Sequence, residues 1–250
     1  MERILLLFFI LSLSFMACEE LPPTIDPQVD VESDVCDLDV DVANQQRNVL
    51  LEEFTGVRCV NCPAGSEVLE SLIATHGERV SAISIHAGDF SPPYTESLFD
   101  FRNEDATNLF NLIGPPIAYP ASVINRVTHN GSSFLPVLSG NAWPSLVDNE
   151  LEKPLLLTLG VAAQYDEESR NLEMCTKITP VEDITQTDVR VTIILTESGV
   201  KDYQKTPDGK QSDYEHKHIM RDAITPFDGL VIAEPLTAGV EVTNTFAVTI

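Results

Sequence analysis

Two cysteines separated by two residues, Cys59-Val60-Asn61-Cys62, constrain this chain more than any other feature, because of what flanks them. Upstream, Val49-Leu50-Leu51-Glu52-Glu53-Phe54 is a short apolar run that reads as a buried strand. Thr55-Gly56-Val57-Arg58 leads into the pair and Pro63 follows it. Val68, Leu69, Leu72 and Ile73 then recur at helical spacing, Gly77 sits where a helix ends, and a second apolar strand runs from Val80 to Ile85. In a strand–CxxC–helix–strand context the cysteines read as a thiol–disulfide motif rather than half of a zinc site. A second CxxC is missing, and none of the five histidines is near the first in sequence, so no metal site is expected. No cofactor is expected either: no glycine-rich phosphate loop follows a strand, and no CxxCH occurs.

The spacing has a chemical consequence. With two residues between the cysteines, the first sulfur lies at the open N-terminus of the helix and the second one turn inside. Unpaired N–H groups and the helix dipole favour a thiolate there. Arg58 adds a neighbouring cation that lowers the thiol pKa further. Cys59 is thus the expected nucleophile and Cys62 the thiol that closes the disulfide. Glu53 stands six positions before Cys59, at the end of the apolar strand. A carboxylate lying below the disulfide could take the Cys62 proton. The alternative is that Glu52 and Glu53 simply face solvent at a strand end. Further along, Gly114-Pro115-Pro116-Ile117-Ala118-Tyr119-Pro120 leads into a short strand, Ala121 to Ile124. A proline directly before a buried strand cannot donate to the ladder and is often cis. Tyr119-Pro120 is the candidate to pack against the sulfurs, whereas Pro115 and Pro116 read as helix-stop punctuation.

The ends of the chain carry different signals. Ile4 to Ala17 is uncharged but only fourteen residues long, short of the roughly 20 a spanning helix needs. It suits a secretory signal over residues 1–17. Cys18 immediately after it looks like the acceptor of a bacterial lipoprotein signal, whose acyl chains would anchor the protein. Glu19 to Asp41 holds nine acids and no Lys or Arg, so residues 18–47 read as a self-repelling extended tether. The whole chain has 15 basic and 39 acidic residues, a net charge of −24, which excludes nucleic acid as a partner. Trp143 to Leu151 reads as a short helix, and Lys153-Pro154 as a boundary. Strand patterns alone follow, which suggests an all-β immunoglobulin-like sandwich over residues 153–250 after an α/β thioredoxin-like domain over 48–152. His216 and His218 read as one solvated strand face, and His86 as the residue closing the second strand. Cys36 and Cys175 are left over, either as a bridge or as free thiols.

Taken together, Glu53-Phe54-Thr55-Gly56-Val57-Arg58-Cys59-Val60-Asn61-Cys62-Pro63 and Tyr119-Pro120-Ala121-Ser122-Val123-Ile124-Asn125-Arg126 resemble the Omp28-related outer-membrane lipoproteins of Bacteroidota. The resemblance implies a thioredoxin-like domain, an outer-membrane lipid anchor at Cys18, a redox pair at Cys59 and Cys62, a buried acid at Glu53 and a cis-proline at Pro120. It also implies another strand or two beyond residue 250. This chain departs from the wider thioredoxin pattern in three places. Arg58 replaces an aromatic residue, Gly-Pro is missing between the cysteines, and His86 to Gly114 is inserted before the cis-proline. Two functions follow as expectations. One is a thiol–disulfide oxidoreductase acting on protein thiols or disulfides of the envelope. The other is a non-catalytic surface-binding or adhesion lipoprotein whose disulfide is structural.

Overall fold

The computed structural model describes residues 28–37, 42, 44–129, 131–138, 140–232 and 235–250. The signal segment, Cys18 and the acids from Glu19 to Asp26 lie outside the described residues. The first half contains β1 (Gln28–Val29), a 3-10 turn at Asp34–Asp37, β2 (Val49–Thr55), α1 (Cys62–His76) and β3 (Val80–His86). It continues through α2 (Glu104–Ile113), β4 (Ala121–Ile124), β5 (Val137–Leu138) and α3 (Trp143–Leu151). The second half is strands: β6 (Leu157–Asp166), β7 (Asn171–Pro180), β8 (Arg190–Val191), β9 (Ile194–Glu197) and β10 (Val200–Thr206). The last four are β11 (Gly209–His216), β12 (Ile219–Ala223), β13 (Leu230–Val231) and β14 (Val242–Thr249). The architecture is mixed α/β, with several sheets and few helices.

A six-stranded sheet in the order β5-β4-β2-β3-β12-β9 carries the site. β2 and β3 run parallel from Val49↔Val80 to Thr55↔His86, and β4 is antiparallel to β2. Side chains alternate across a strand, so β2 and β3 present two distinct faces. Val49, Leu51, Val80 and Ala82 pack with Leu69 and Leu72 of α1 and with Trp143 and Val147 of α3. Phe54, Ile83 and Ile85 pack on the other side against Ala106, Leu109 and Phe110 of α2. Each large side chain buried in this way contributes about 1.5–3 kcal/mol. The same alternation puts Glu53, Ser84 and His86 on the α1 side and Glu52 on the α2 side.

The second half does not fold as a self-contained sandwich. β9 and β12 join the first-half sheet, β12 lying parallel to β3 at Ile219↔Ser84. Ile219 and Met220 are fully buried there. β10 and β11 form a separate hairpin closed at Thr206↔Gly209. β1, β14, β7 and β6 make an independent four-stranded sheet, whose apolar side packs near the β8–β13 pair. Period-two patterning marks a strand but not its partner, which is why the sequence reads as one sheet pair.

The tether expectation is also corrected over residues 28–37. β1 pairs with β14, and Val35 packs with Ala162 and Cys175. Cys36 and Cys175 are joined as a disulfide that closes 139 residues of sequence separation. Farther on, the Gln45 side-chain amide both donates to and accepts from the backbone of Leu159, capping the free edge of β6. Burial and cross-linking therefore outweigh acidic self-repulsion in this stretch.

Candidate functional site

The loop before α1 is set by close backbone approach. A Cβ on Gly56 would fall 2.3 Å from the Phe90 carbonyl oxygen, so only glycine admits the inserted loop there. Arg58 N–H donates to that carbonyl at 2.9 Å, and Cys59 N–H donates to Gly56 O at 3.0 Å. Cys59 and Cys62 are joined as a disulfide with Cα atoms 5.4 Å apart, and α1 begins at Cys62. Asn61 caps the helix without a side-chain hydrogen bond, and Pro63 occupies the first turn, where its missing N–H costs little. Tyr119-Pro120 is cis, as the sequence leads one to expect. Pro120 reaches α1 because Gly65 has no side chain: a Cβ there would lie 2.8 Å from Pro120 and 2.9 Å from a Glu53 carboxylate oxygen. One glycine thus lets the cis-proline and the acid approach the same turn of the CxxC helix.

Neither strand-end acid faces solvent; both Glu52 and Glu53 are completely buried. Glu52, on the α2 side, is held by the Arg126 guanidinium at 2.7 and 2.9 Å. Glu53 has no cation among the described residues. Its contacts are the Ser66 hydroxyl at 3.3 and 3.4 Å and the Ser84 hydroxyl at 3.5 Å. Burial pushes its pKa up to about 8, against the opposing hydrogen bonds from the two serines. The carboxyl is therefore largely protonated at neutral pH and titrates just above it.

A cavity of about 420 Å³ opens beside Glu53 and Cys62, between α1 and the β10–β11 hairpin, and is lined further by Ser66, His86, Gln204 and Tyr214. His86 and His216 are buried, with Phe101 packed against both rings at 5.1 and 4.6 Å. Burial lowers their pKa values to about 3 and about 4, so both are neutral. The expectation of a solvated face shared by His216 and His218 fails. β11 ends at His216, and His218 turns away at φ 54° to bond Glu70 of α1 at 2.8 Å.

The hairpin covers the disulfide. Gln204 Nε2 donates to the carbonyls of Cys59 at 3.0 Å and Gly56 at 3.3 Å, and Lys205 N–H donates to Val57 O at 2.7 Å. As a result Cys59 is only 3% exposed and Cys62 only 1%. Arg58 is engaged elsewhere than expected: its guanidinium donates to the carbonyls of Pro92 and Pro93 and lies 5.1 Å from the Tyr94 ring centre. It fastens the inserted loop. Sequence reading expects Cys59, Cys62, Glu53 and Pro120 together; the structure puts Glu53 and Pro120 against Gly65 of the CxxC helix, and it starts that helix at Cys62, leaving Cys59 three residues ahead of it instead of Cys62 one turn inside. Sequence reading misses Gln204 and Tyr214, which are about 145 residues away in sequence with no local signal. Gly65 was findable, as a glycine inside a helical pattern that costs about 1 kcal/mol against alanine unless a close approach needs it.

A family model described as outer membrane protein Omp28 matches residues 107–250, more than half of the chain. The chain belongs to the Omp28 family. That membership associates it with the outer membrane. No helix among the described residues is long and apolar enough to cross a membrane. The Omp28 match includes Pro120, the hairpin and β12, but begins after the cysteine pair. Among solved structures the chain is similar to HBP35 of Porphyromonas gingivalis, with 16% identity and a TM-score of 0.63. That alignment covers 82% of this chain and 65% of HBP35. A protein of Agrobacterium tumefaciens aligns at 14% identity and a TM-score of 0.50, over 81% of this chain and 79% of that one. At these identities the likeness is one of fold. No match is found among curated proteins.

Proposed function

We propose that this Omp28 family member is a thiol–disulfide oxidoreductase of the cell envelope, lipid-anchored at the outer membrane through Cys18. The observation that carries the reading is the juxtaposition at the start of α1: a Cys59–Cys62 disulfide, the cis-proline Pro120 packed on Gly65, and the buried Glu53 on the same turn. A parallel strand–CxxC helix–strand unit with a cis-proline before its antiparallel neighbour is how thioredoxin-like redox centres are built. Once reduced, Cys59, in the turn three residues ahead of α1, is the attacking thiolate and Cys62, the first residue of the helix, the resolving thiol. Glu53, with a pKa of about 8, holds or releases a proton near working pH. The substrates are protein thiols or disulfides.

Trapping tests this directly. A Cys62→Ser variant, reduced and mixed with a disulfide-bonded polypeptide, is expected to accumulate a mixed disulfide at Cys59. Alkylation of Cys59 is expected to titrate well below the usual thiol pKa of about 8.5. No mixed disulfide, together with an ordinary thiol titration, would refute the reading. One observation favours a second reading, in which the disulfide is structural and the fold a binding scaffold: the near-complete cover of both cysteines by Gln204 and its hairpin. That reading expects a reduction potential below about −300 mV, and binding that survives a Cys59→Ala, Cys62→Ala double variant.

A further inference from the structure

A carboxylate taken fully out of water is ordinarily met by a cation, as Glu52 is by Arg126. Glu53 is just as deeply buried, yet among the described residues no Lys or Arg pairs with it, and its serine contacts are long, at 3.3, 3.4 and 3.5 Å. What it borders instead is space, the cavity of about 420 Å³ next to Cys62. His86 and His216 line the same cavity. Each leaves one buried ring nitrogen, Nδ1 of His86 and Nε2 of His216, without a hydrogen-bond partner among the described residues. Buried polar atoms are seldom left so in a folded protein. Three polar groups short of partners thus border one cavity.

We propose that this cavity is a binding site for a small primary alkylammonium ion, with its charged head on the Glu53 carboxylate and its stem directed towards the mouth. The charges select a cation. Glu67 and Glu215, both exposed in the lining, are in no ion pair among the described residues. The two basic residues of the lining, Lys217 and His218, are each bound to Glu70 at 2.8 Å. His86 and His216 are held neutral by burial and do not repel a positive charge. Hydrogen bonding selects an ammonium. Among the described residues no three His, Cys, Asp or Glu side chains are grouped to hold a metal ion. An ammonium brings three N–H donors of its own, enough for the carboxylate and for neighbouring acceptors such as the Ser66 hydroxyl or an imidazole lone pair. Leu69 and Pro63 offer apolar surface to the stem, and the volume lies within the range of small-ligand cavities. Such a site does not depend on the exchange chemistry: the cavity and Glu53 are present in the oxidised protein whether its disulfide is catalytic or structural.

Seating the ion exchanges it for a proton. Burial raises Glu53 to about 8, so at pH 7 the carboxyl is mostly protonated and each bound ammonium displaces about 0.9 of a proton. The apparent affinity therefore rises about ninefold from pH 6 to pH 7 and levels off above pH 8. The other titratable groups bordering Glu53 are Glu67 and Glu70 of α1, His86 of β3, Tyr214, Glu215 and His216 of β11, and Lys217 and His218 after it. A Glu53→Gln variant keeps all of them, so the difference between the two proteins isolates Glu53.

The test is calorimetric titration of the oxidised full chain with n-pentylamine hydrochloride, in two buffers of different ionisation heat so that proton release is read directly. The wild type is expected to bind with about 0.9 of a proton released at pH 7 and close to none at pH 9. Glu53→Gln is expected to lose at least about tenfold in affinity and all of the proton release. 1-Pentanol, which has the same stem and no charge, is expected not to compete. A measurement on the wild type alone stands beside the variant: pentylamine should raise the urea midpoint more at pH 8 than at pH 6. No binding of pentylamine, equal binding by Glu53→Gln, pentanol binding as tightly as the amine, or an equal rise in midpoint at both pH values would each overturn the site. None of these results bears on whether Cys59 forms a mixed disulfide, so the site and the redox reading fail separately.

Discussion

Replacing Glu53 by glutamine turns the most perturbed acid of the site into a stability measurement. Glutamine has the shape of the protonated carboxyl and can keep the contacts to Ser66 and Ser84, but it does not ionise. In the folded protein Glu53 titrates at about 8 instead of 4.5. Between those values the folded state holds a proton that the unfolded chain has released. The stability tied to this group is therefore full below about 4.5 and is lost progressively as pH rises through about 8. At about 1.4 kcal/mol per pH unit the whole span amounts to about 5 kcal/mol, and about 3 kcal/mol of it is already gone at pH 7. His86 and His216 act with the opposite sign. Their folded values are depressed to about 3 and about 4, so their contribution is present above about 6.5 and lost as pH falls. Asp222, raised to about 7 by burial and by its neighbour Asp105, adds a smaller fall in the Glu53 direction. All three are common to both proteins and cancel when the two are compared. Urea unfolding of the oxidised proteins from about pH 5 to pH 8 should show Glu53→Gln more stable by about 3 kcal/mol at pH 7, with the gap closing towards acid and widening towards pH 8. A gap that does not change with pH would mean that Glu53 is not held neutral in the folded protein. Against a typical stability of about 5–15 kcal/mol, 3 kcal/mol is a large cost for one residue. An acid kept at that cost calls for a chemical role.

Three other perturbations probe the frame around the site. Gly65→Ala is expected to lower stability by about 1–3 kcal/mol through overpacking against Pro120 and Glu53, instead of adding the roughly 1 kcal/mol that alanine gains in an open helix; urea midpoints decide. Arg126→Met leaves Glu52 charged and alone in the interior, which should cost about 3–5 kcal/mol, and adding Glu52→Gln should recover most of it. A Cys36→Ala, Cys175→Ala double variant removes a link across 139 residues and should lose about 5 kcal/mol by the loop-closure estimate; a loss below about 1 kcal/mol would show that β1 and the 3-10 turn hold the segment without it.

The parts of the site that could be read from sequence are those whose causes are local. Cys59 and Cys62 declare a helix start through their spacing and through Pro63. Tyr119-Pro120 declares itself because a proline before an apolar strand has few conformations open to it. Gly77 and Trp143 mark helix ends that appear where expected, at Cys62–His76 and Trp143–Leu151. Even the Glu53 alternatives were decidable by parity, since Leu51 and Glu53 must share a face and Leu51 belongs to the core under α1. Long-range placement had no such local cause. The turn Pro207-Asp208-Gly209 is visible, but nothing in residues 200–216 says that the hairpin will stand over Cys59 rather than in a sandwich. Arg58 shows the same limit at short range: adjacency in sequence suggested a cation for the sulfur, while two proline carbonyls 34 and 35 residues away claim its donors.

The interleaving of the halves changes how the family match should be understood. The matched segment, residues 107–250, contains β4, β12 and the hairpin, each of which has partners outside it. β4 needs β2, and β12 needs β3. Gln204 has its partners in the loop before Cys62. An edge left without these neighbours would expose unpaired backbone groups and the apolar side chains of Ile219 and Met220. The segment from Val49 to His86 is therefore part of the fold the matched half requires, although the family model begins after it. The cysteine pair sits where those two pieces of chain close on each other, which ties any opening at the disulfide to movement of the hairpin.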